Sequence, residues 1–322
     1  MKAIVQYRYG APDHVLELQD VDKPAVKDDE VLVRVHAASV NPADWHLMTG
    51  RPYLIRLQAG LLKPKRNIPG TDVAGLVEAV GRNVMQFQPG DEVFGGCSGA
   101  YAEYVCASED RVVLKPANLT FEQAAAVPIA AITALQGLRD KGQIQPGHRV
   151  LINGASGGVG TFAVQIAKSF GAEVTGLCST RNVDMVRSIG ADRVIDYTQE
   201  DFTQKGQRYD LMLDAVGNRS LLDCRRVLNP KGVYVSVGAK MGDWIGPLTH
   251  VFKVLLGSLV GSQKMVPMLA KTTKQDLVVL QELLEAGDVT PVIDRRYELS
   301  EVAEALRYQG EGHAKGKTVI TV

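Results

Sequence analysis

The sequence has no C-x-x-C pair, and its four cysteines, Cys97, Cys106, Cys178 and Cys224, follow no regular spacing. A disulfide framework is therefore not written into it, and reduced thiols in a reducing, cytoplasmic compartment are expected. Long apolar runs are also missing. Stretch 124–135 contains Pro128, and stretch 244–261 is interrupted by Pro247, His250 and Lys253. Neither reaches the roughly 18 continuous apolar residues of a spanning helix, so a soluble chain with no membrane span is expected. There is no excess of either charge: 36 Lys and Arg balance 36 Asp and Glu, which excludes a nucleic-acid partner held by bulk charge. The chain runs from Met1 straight into strand-like Ala-Ile-Val-Gln-Tyr7, with no secretory or transit pattern, and no internal repeat or low-complexity segment appears.

What is present is an ordinary globular composition, 45% hydrophobic and 22% charged, over 322 residues, enough for two domains with sizeable cores. The most informative stretch is 149–171, RVLINGASGGVGTFAVQIAKSFG. It opens on the apolar run Val150-Leu-Ile152, passes through a glycine cluster and turns helical, with Ala163, Val164, Ile166, Ala167 and Phe170 at helical spacing and Gly171 placed for a left-handed C-cap. The cluster Ala155-Ser156-Gly157-Gly158-Val159-Gly160 is an A-x-G-x-x-G variant of the dinucleotide fingerprint, with Ala155 where the first glycine usually stands. Gly157 lets backbone approach a pyrophosphate, Gly160 lets helix and sheet pack closely, and the helix N-terminus offers N–H groups to the phosphates.

Strand–helix alternation continues from there. Strands are expected at 149–153, 173–177, 193–195, 211–214 and 232–237, and helices at 161–170, 182–189 and 220–227. This is an α/β pattern, a Rossmann doubly wound parallel sheet with the glycine turn on its first strand. Before it, short strand runs at 3–7, 30–37, 73–80 and 92–94 are separated by turn signals such as Pro89-Gly-Asp91, and predict a separate β-rich domain. One helix is expected over 121–139, amphipathic helices at 275–285 and 300–308, and a terminal strand at 317–322 that returns to the β-rich domain. The predicted division is 1–123 with 268–322, and 124–267 between them. Segment 241–261 reads as a loop and helix that close over a ligand, form a subunit contact or simply pack in the core.

The second strand of the nucleotide fold decides the cofactor. NAD-preferring folds carry an acid there, about 20 residues past the fingerprint, for the ribose 2′-hydroxyl. Here the strand ends Leu177-Cys178-Ser179-Thr180-Arg181-Asn182, with no carboxylate before Asp184. Ser179, Thr180 and Asn182 can donate hydrogen bonds and Arg181 matches a phosphate, so NADPH is expected. Tyr197, just past the third strand, either faces the adenosine side or plays a structural part.

Almost the whole chain resembles the medium-chain dehydrogenase/reductase superfamily, in its zinc-free quinone oxidoreductase branch. The resemblance rests on Ala38-Ser-Val-Asn-Pro-Ala-Asp44, Ile68-Pro-Gly-Thr-Asp-Val-Ala-Gly75, the fingerprint, Asp214-Ala-Val-Gly217 and Gly316-Lys-Thr-Val319. Stretches 179–182 and 253–267 look most like the chloroplast-envelope quinone oxidoreductase homologues and the NADPH-dependent alkenal reductases. It implies a GroES-like catalytic domain beside the Rossmann domain and a homodimer. Zinc alcohol dehydrogenases of the superfamily have Cys where this chain has Asn41 and His where it has Thr71, and a four-cysteine lobe for which Cys97 and Cys106 are the sole candidates. No metal is therefore expected, and His46 and Cys97 read as satisfied or solvated side chains.

By the same resemblance Asn41 orients a substrate carbonyl, Asp44 braces its loop, and Tyr53 stands where a tyrosine has been proposed as proton donor. Thr133 contacts the nicotinamide ribose or diphosphate, Gly217 binds the cofactor, and Lys317 either lies near the cofactor or is an exposed lysine. Val237 and Gly238 end the fifth expected strand, where the crevice of a doubly wound sheet would hold the nicotinamide end. Without a Lewis acid, alcohol oxidation loses its means of stabilising an alkoxide. The implied reaction is hydride transfer to a small-molecule quinone, enal or enone, whose anion needs a hydrogen-bond donor and a proton. A non-catalytic NADPH-binding redox sensor, and a zinc-independent alcohol-dehydrogenase relative with another acceptor, remain open. Tyr53, Tyr101 and Trp244 are expected around the pocket. Arg51, Arg56, Lys63, Lys65 and Arg66, with no acid between them, form either a solvated flap or a rim for anionic acceptors.

Overall fold

The structure is a computed structural model that describes residues 1–204, 206–238, 246–258, 261–312 and 314–322. The chain divides into two compact units, one of Met1–Ile132, Thr272–Gly287 and Pro291–Val322, the other of Thr133–Lys271 and Asp288–Thr290. The division falls later than residues 123 and 267, for local reasons. Helix Phe121–Ala125 packs against strands Glu30–Val40 and Asp72–Val80 and so stays with the first unit. Residues 288–290 join the second because Gln165 exchanges two hydrogen bonds with the Thr290 backbone, at 2.8 and 3.0 Å.

In the first unit the described strands form a seven-stranded sheet and a two-stranded ribbon, Lys2–Gln6 with Leu16–Asp20. The sheet is organised on Glu30–Val40, which is long enough to hold two partners on one edge. Its first half pairs with Tyr104–Ser108 and its second with the terminal strand Lys317–Thr321. Its other edge carries Asp72–Val80, then Glu92–Gly96 and Val112–Leu114. Register does the positioning: Thr318 lies opposite Val40, and Ser39 opposite Asp72. Lys317, Asn41, Ser39 and Asp72 are thereby gathered at one end of three strands, over a core of Val31, Val33, Val73, Val93 and Ile320.

In the second unit six parallel strands run in the order Arg193–Asp196, Glu173–Cys178, Arg149–Asn153, Tyr209–Asp214, Leu228–Ser236 and Lys264–Pro267. In sequence order this is 3-2-1-4-5-6, the doubly wound arrangement, with its switch point between Arg149–Asn153 and Tyr209–Asp214. Helix Gly158–Ser169 follows the first strand and buries Phe162, Ala163, Val164, Ile166 and Ala167. Gly171 closes that segment with φ of +77°, as its sequence position predicted.

The helix expected over 121–139 is in fact two, Phe121–Ala125 and Pro128–Gln136, followed by the wide turn Gly137–Lys141. Pro128 has no N–H to continue a ladder and starts the second helix instead. Segment 241–261 contains helix Gly246–Ser258, while Trp244 lies outside the described residues. No helix among the described residues is long and apolar enough to cross a membrane.

Candidate active site

The nucleotide end is built in the second unit. Gly157 caps helix Gly158–Ser169, and the nearest protein atom a Cβ there would meet is the Gly154 carbonyl oxygen, at 3.5 Å. That open space over a helix N-terminus fits a pyrophosphate. Gly160 answers a different need: its Cβ would lie 2.0 Å from the Gly154 oxygen and 2.8 Å from Ala155 backbone. The tight turn belongs to Gly154, with φ of +85°, which explains how Ala155 is accommodated in the first fingerprint position.

Ser156, Ser179 and Asn182 are brought together at the end of the second strand. The Asn182 amide nitrogen donates to Ser156 Oγ at 3.0 Å and to Ser179 Oγ at 3.3 Å. Asn182 Oδ1, buried, has no partner among the described residues, an orphan acceptor that a ribose hydroxyl would satisfy. Thr180 departs from its expected role as a donor to the cofactor: its hydroxyl donates to Asp196 Oδ2 at 2.5 Å. Asp196, missed in the sequence, ends the third strand opposite Cys178. Thr180 first, then Thr198, hold its carboxyl below the usual carboxylate range. Arg181 is exposed and makes no ion pair among the described residues, and Tyr197 is half exposed. The sequence signal for Asp196 was its place at a strand end beside the ribose site.

At the switch point the buried Asp214 carboxylate accepts from Asn153 Nδ2 (2.8 Å), Val216 N (3.0 Å), Gly217 N (2.8 Å) and Tyr234 OH (2.9 Å). It fixes the Asp214-Ala-Val-Gly217 turn, where Gly217 has φ of +66°. Val237 N and Gly238 N both donate to the Asp214 carbonyl, and a Cβ on Gly238 would collide with the Ala215 oxygen at 2.2 Å. Thr133 is half-buried on helix Pro128–Gln136.

The first unit holds a buried polar cluster at the strand ends. Asn41 Nδ2 donates to Asp72 Oδ2 at 2.8 Å and to Thr71 Oγ1 at 3.4 Å, while its Oδ1 accepts from Lys317 Nζ at 2.6 Å. Lys317 also donates to the Val40 carbonyl at 3.0 Å and lies 3.8 Å from Asp72. Asp72 is fully buried and further accepts from Ser39 Oγ and Ile129 N, at 3.0 and 3.2 Å. Asp44 Oδ2 accepts from Asn41 N at 2.9 Å and Tyr101 OH at 3.2 Å, and Asp44 Oδ1 from Thr71 Oγ1 at 3.1 Å. Two acids and one lysine in a dry site strain against full ionisation. Burial, then Asp72, pushes Asp44 up to about 6; burial raises Asp72, and burial lowers Lys317.

This arrangement changes several expected roles. Asn41, 1% exposed with both amide donors and its acceptor engaged, has no donor left for a substrate carbonyl and acts as a brace. The Lys317 ammonium is committed to Asn41 and Val40 rather than offered to a cofactor. Tyr101, expected at a pocket wall, is fully buried. A cavity of about 430 Å³ does open in this unit, and Asp44, Thr71, Met48, Gln58, Lys65 and Arg66 contribute to its lining. Tyr53 is half-buried beside Arg56, whose guanidinium stacks over it at 4.8 Å and over Tyr9 at 4.5 Å. Of the basic stretch, Arg56 is thus sequestered, Arg66 donates to Ser98, and Lys63 and Lys65 are exposed.

Zinc does not fit this donor set. Asn41 and Thr71 offer an amide and a hydroxyl, and the Lys317 ammonium already supplies the positive charge beside them. His46 Nδ1 is 2.9 Å from the Arg51 carbonyl, and the Cys97 thiol is pushed up by burial and then by Asp72. Among the described residues no three His, Cys, Asp or Glu side chains form a metal-holding group.

Two family sequence models match the chain: the alcohol dehydrogenase GroES-like domain over residues 27–117, and the zinc-binding dehydrogenase over residues 189–320. The chain is 35% identical to the chloroplastic quinone oxidoreductase of Triphysaria versicolor, over 99% of its own length and 98% of that protein's. It is 33% identical to the chloroplastic NADPH-dependent alkenal/one oxidoreductase of Arabidopsis thaliana, over 99% of this chain and 79% of that one. Among solved structures, the quinone oxidoreductase from Coxiella burnetii superposes with a TM-score of 0.88 at 31% identity, covering 100% of this chain and 99% of the other.

Proposed function

The chain belongs to the quinone oxidoreductase branch of the medium-chain dehydrogenase/reductase superfamily, and on that premise we propose that it is an NADPH-dependent reductase of quinones and α,β-unsaturated carbonyls that works without zinc. The observation that carries the reading is the strand–turn–helix at residues 149–171, open above Gly157 and set on the first strand of a 3-2-1-4-5-6 sheet. Ser156, Gly157, Gly158 and Val159 hold the pyrophosphate. The 2′-phosphate is met by Ser179 and Arg181, with Tyr197 alongside, and Asn182 Oδ1 takes a ribose hydroxyl. Thr133, Gly217, Val237 and Gly238 border the nicotinamide end. Asp196 stays anionic, held so by Thr180 and Thr198, so Arg181 has to outweigh it for a 2′-phosphate to be preferred.

The chemistry a bound nicotinamide supplies is hydride donation. The chain's own contribution is to hold an electrophilic acceptor in the cavity of the first unit and to stabilise the anion that forms. Tyr53 donates a hydrogen bond to that anion, and Asn41 with Lys317 keeps the wall rigid. A homodimer in the cytoplasm completes the proposal, on the family likeness and the unpaired thiols.

The test combines binding and turnover. Fluorescence titration should give an NADPH Kd at least ~10-fold below that of NADH, and NADPH should be consumed with at least one of an enal, an enone and a quinone. Equal affinity for the two nucleotides removes the cofactor assignment; NADPH bound with every acceptor untouched removes the reductase. Sedimentation showing a monomer removes the dimer.

A further inference from the structure

The polar cluster of the first unit reaches the wall of the cavity. Asp44 and Thr71 both line it. The Asp44 Oδ2 atom is taken by Asn41 N and Tyr101 OH, so its remaining oxygen, Oδ1, is the one that meets Thr71 Oγ1, at 3.1 Å. Asn41 Nδ2, 3.4 Å from the same hydroxyl oxygen, can only donate to it. Two hydrogen-bond patterns follow. With Asp44 ionised, the Thr71 hydroxyl donates to Oδ1. With Asp44 carrying its proton on Oδ1, the Thr71 oxygen accepts from Asp44 and Asn41, and its own hydrogen turns toward the cavity.

We propose that Thr71 protonates the reduced acceptor, and that Asp44 is the positioning residue that aims and replenishes the Thr71 proton. The inference rests on the reductase reading given above. Once a hydride and its electron pair have reached the acceptor's β-carbon, the C=C pair has moved to leave an enolate. The Thr71 O–H bond then breaks toward the enolate while the Asp44 O–H bond breaks toward Thr71 Oγ1. The products are the saturated carbonyl, an intact threonine and an Asp44 carboxylate, which regains its proton from water in the cavity. A quinone follows the same balance and leaves as a hydroquinone.

The surroundings suit a carboxyl that alternates between the two forms. Burial first, then Asp72 on the neighbouring strand, raises its affinity for a proton, and the Asn41 N–H and Lys317, on the terminal strand, oppose it. Tyr101 and Cys97, which also face it, are themselves pushed up by burial first, and stay neutral. Lys65 and Arg66 are the other charged groups on the cavity lining.

Two measurements test the proposal. In ¹³C carboxyl NMR of the cofactor-free protein, assigned with Asp44→Asn, Asp44 should titrate at about 6, and Thr71→Val should move that midpoint. Titration in the ordinary carboxylate range, or no response to Thr71→Val, overturns the proposal. In turnover of a neutral enone with NADPH, kcat should fall ~10-fold per pH unit above that midpoint. Thr71→Ser should keep the bend, whereas Asp44→Asn and Thr71→Val should lose it along with at least ~10-fold of the low-pH rate. A bend that survives in Asp44→Asn, or wild-type turnover by Thr71→Val, overturns the proposal. Failure of the wild-type protein to consume NADPH with any acceptor overturns the reductase reading and this route together, and is told apart because there is then no rate to bend.

Discussion

At the residue scale, two glycines three positions apart carry different duties. A methyl on Gly160 would be driven into backbone, 2.0 Å from the Gly154 oxygen, whereas a methyl on Gly157 meets nothing closer than 3.5 Å. Gly160→Ala should therefore destabilise the fold by ~1–3 kcal/mol. Gly157→Ala should cost, in a denaturant melt, no more than the ~1 kcal/mol by which an N-cap prefers Gly to Ala, and yet weaken NADPH at least ~10-fold, the methyl occupying the phosphate's space. Unchanged NADPH affinity in Gly157→Ala would mean that the space above the helix is not a phosphate seat. Asp44 gives a second residue-scale prediction. Its pKa is raised in the folded chain, to about 6, so between the unfolded value of about 3.9 and 6 the folded chain holds a proton that the unfolded chain has released. Stability then declines as pH rises through that window and stays lower above it, by ~2–3 kcal/mol. The burial-raised Asp72 acts in the same direction, and the burial-lowered Lys317 acts only toward high pH. Asp44→Asn should flatten the decline, read as the difference between wild-type and variant stability from pH 4 to pH 7.

At the element scale, what could be read in the sequence was what is local. The fingerprint strand, its turn and its helix are contiguous, and so they were legible to within a few residues. The amphipathic stretch that became Lys274–Glu285 was equally plain, with Leu277, Leu280 and Leu284 buried. Strand Lys264–Pro267 was not, because four residues at a sheet edge carry no period to detect. The buried polar cluster of the first unit was half legible. Asn41, Asp44 and Thr71 lie in recognisable stretches, but nothing in the sequence marks Asp72, which opens an apolar strand run, as a buried charge. What buries it is the register that sets Lys317 beside Asn41, a relation between strands far apart in sequence. Local chemistry at a helix start is more easily tested. Thr273 Oγ1 accepts from Asp276 N at 3.2 Å, and its hydroxyl donates to the Asp276 carboxylate at 2.6 Å. Removing that cap with Thr273→Ala should cost ~1 kcal/mol in a urea melt, with Thr273→Ser recovering most of it. No loss in Thr273→Ala would mean that the helix is held by its leucine face alone.

At the scale of the whole molecule, each unit has its own core, one built on the mixed sheet and one on the parallel sheet. Equal numbers of basic and acidic side chains leave the chain with no net charge to steer a substrate. Any attraction for a charged substrate must therefore be local. The structure leaves few cations of the 51–66 stretch available for it, since Arg56 is stacked between Tyr9 and Tyr53 while Lys65 and Arg66 sit on the cavity lining. Such charges act within a Debye length of ~10 Å at 0.1 M salt, the distance over which an acceptor enters a cavity of this size. An enone bearing a carboxylate should then lose several-fold in kcat/KM as salt rises from ~20 to ~200 mM, while its methyl ester shows no such slope. The double variant Lys65→Gln, Arg66→Gln should erase the slope of the acid, because it removes the two cations on the lining while taking the net charge of the chain only from 0 to −2. Equal slopes for acid and ester in the wild-type protein would show the stretch to be a solvated flap with no part in choosing the acceptor.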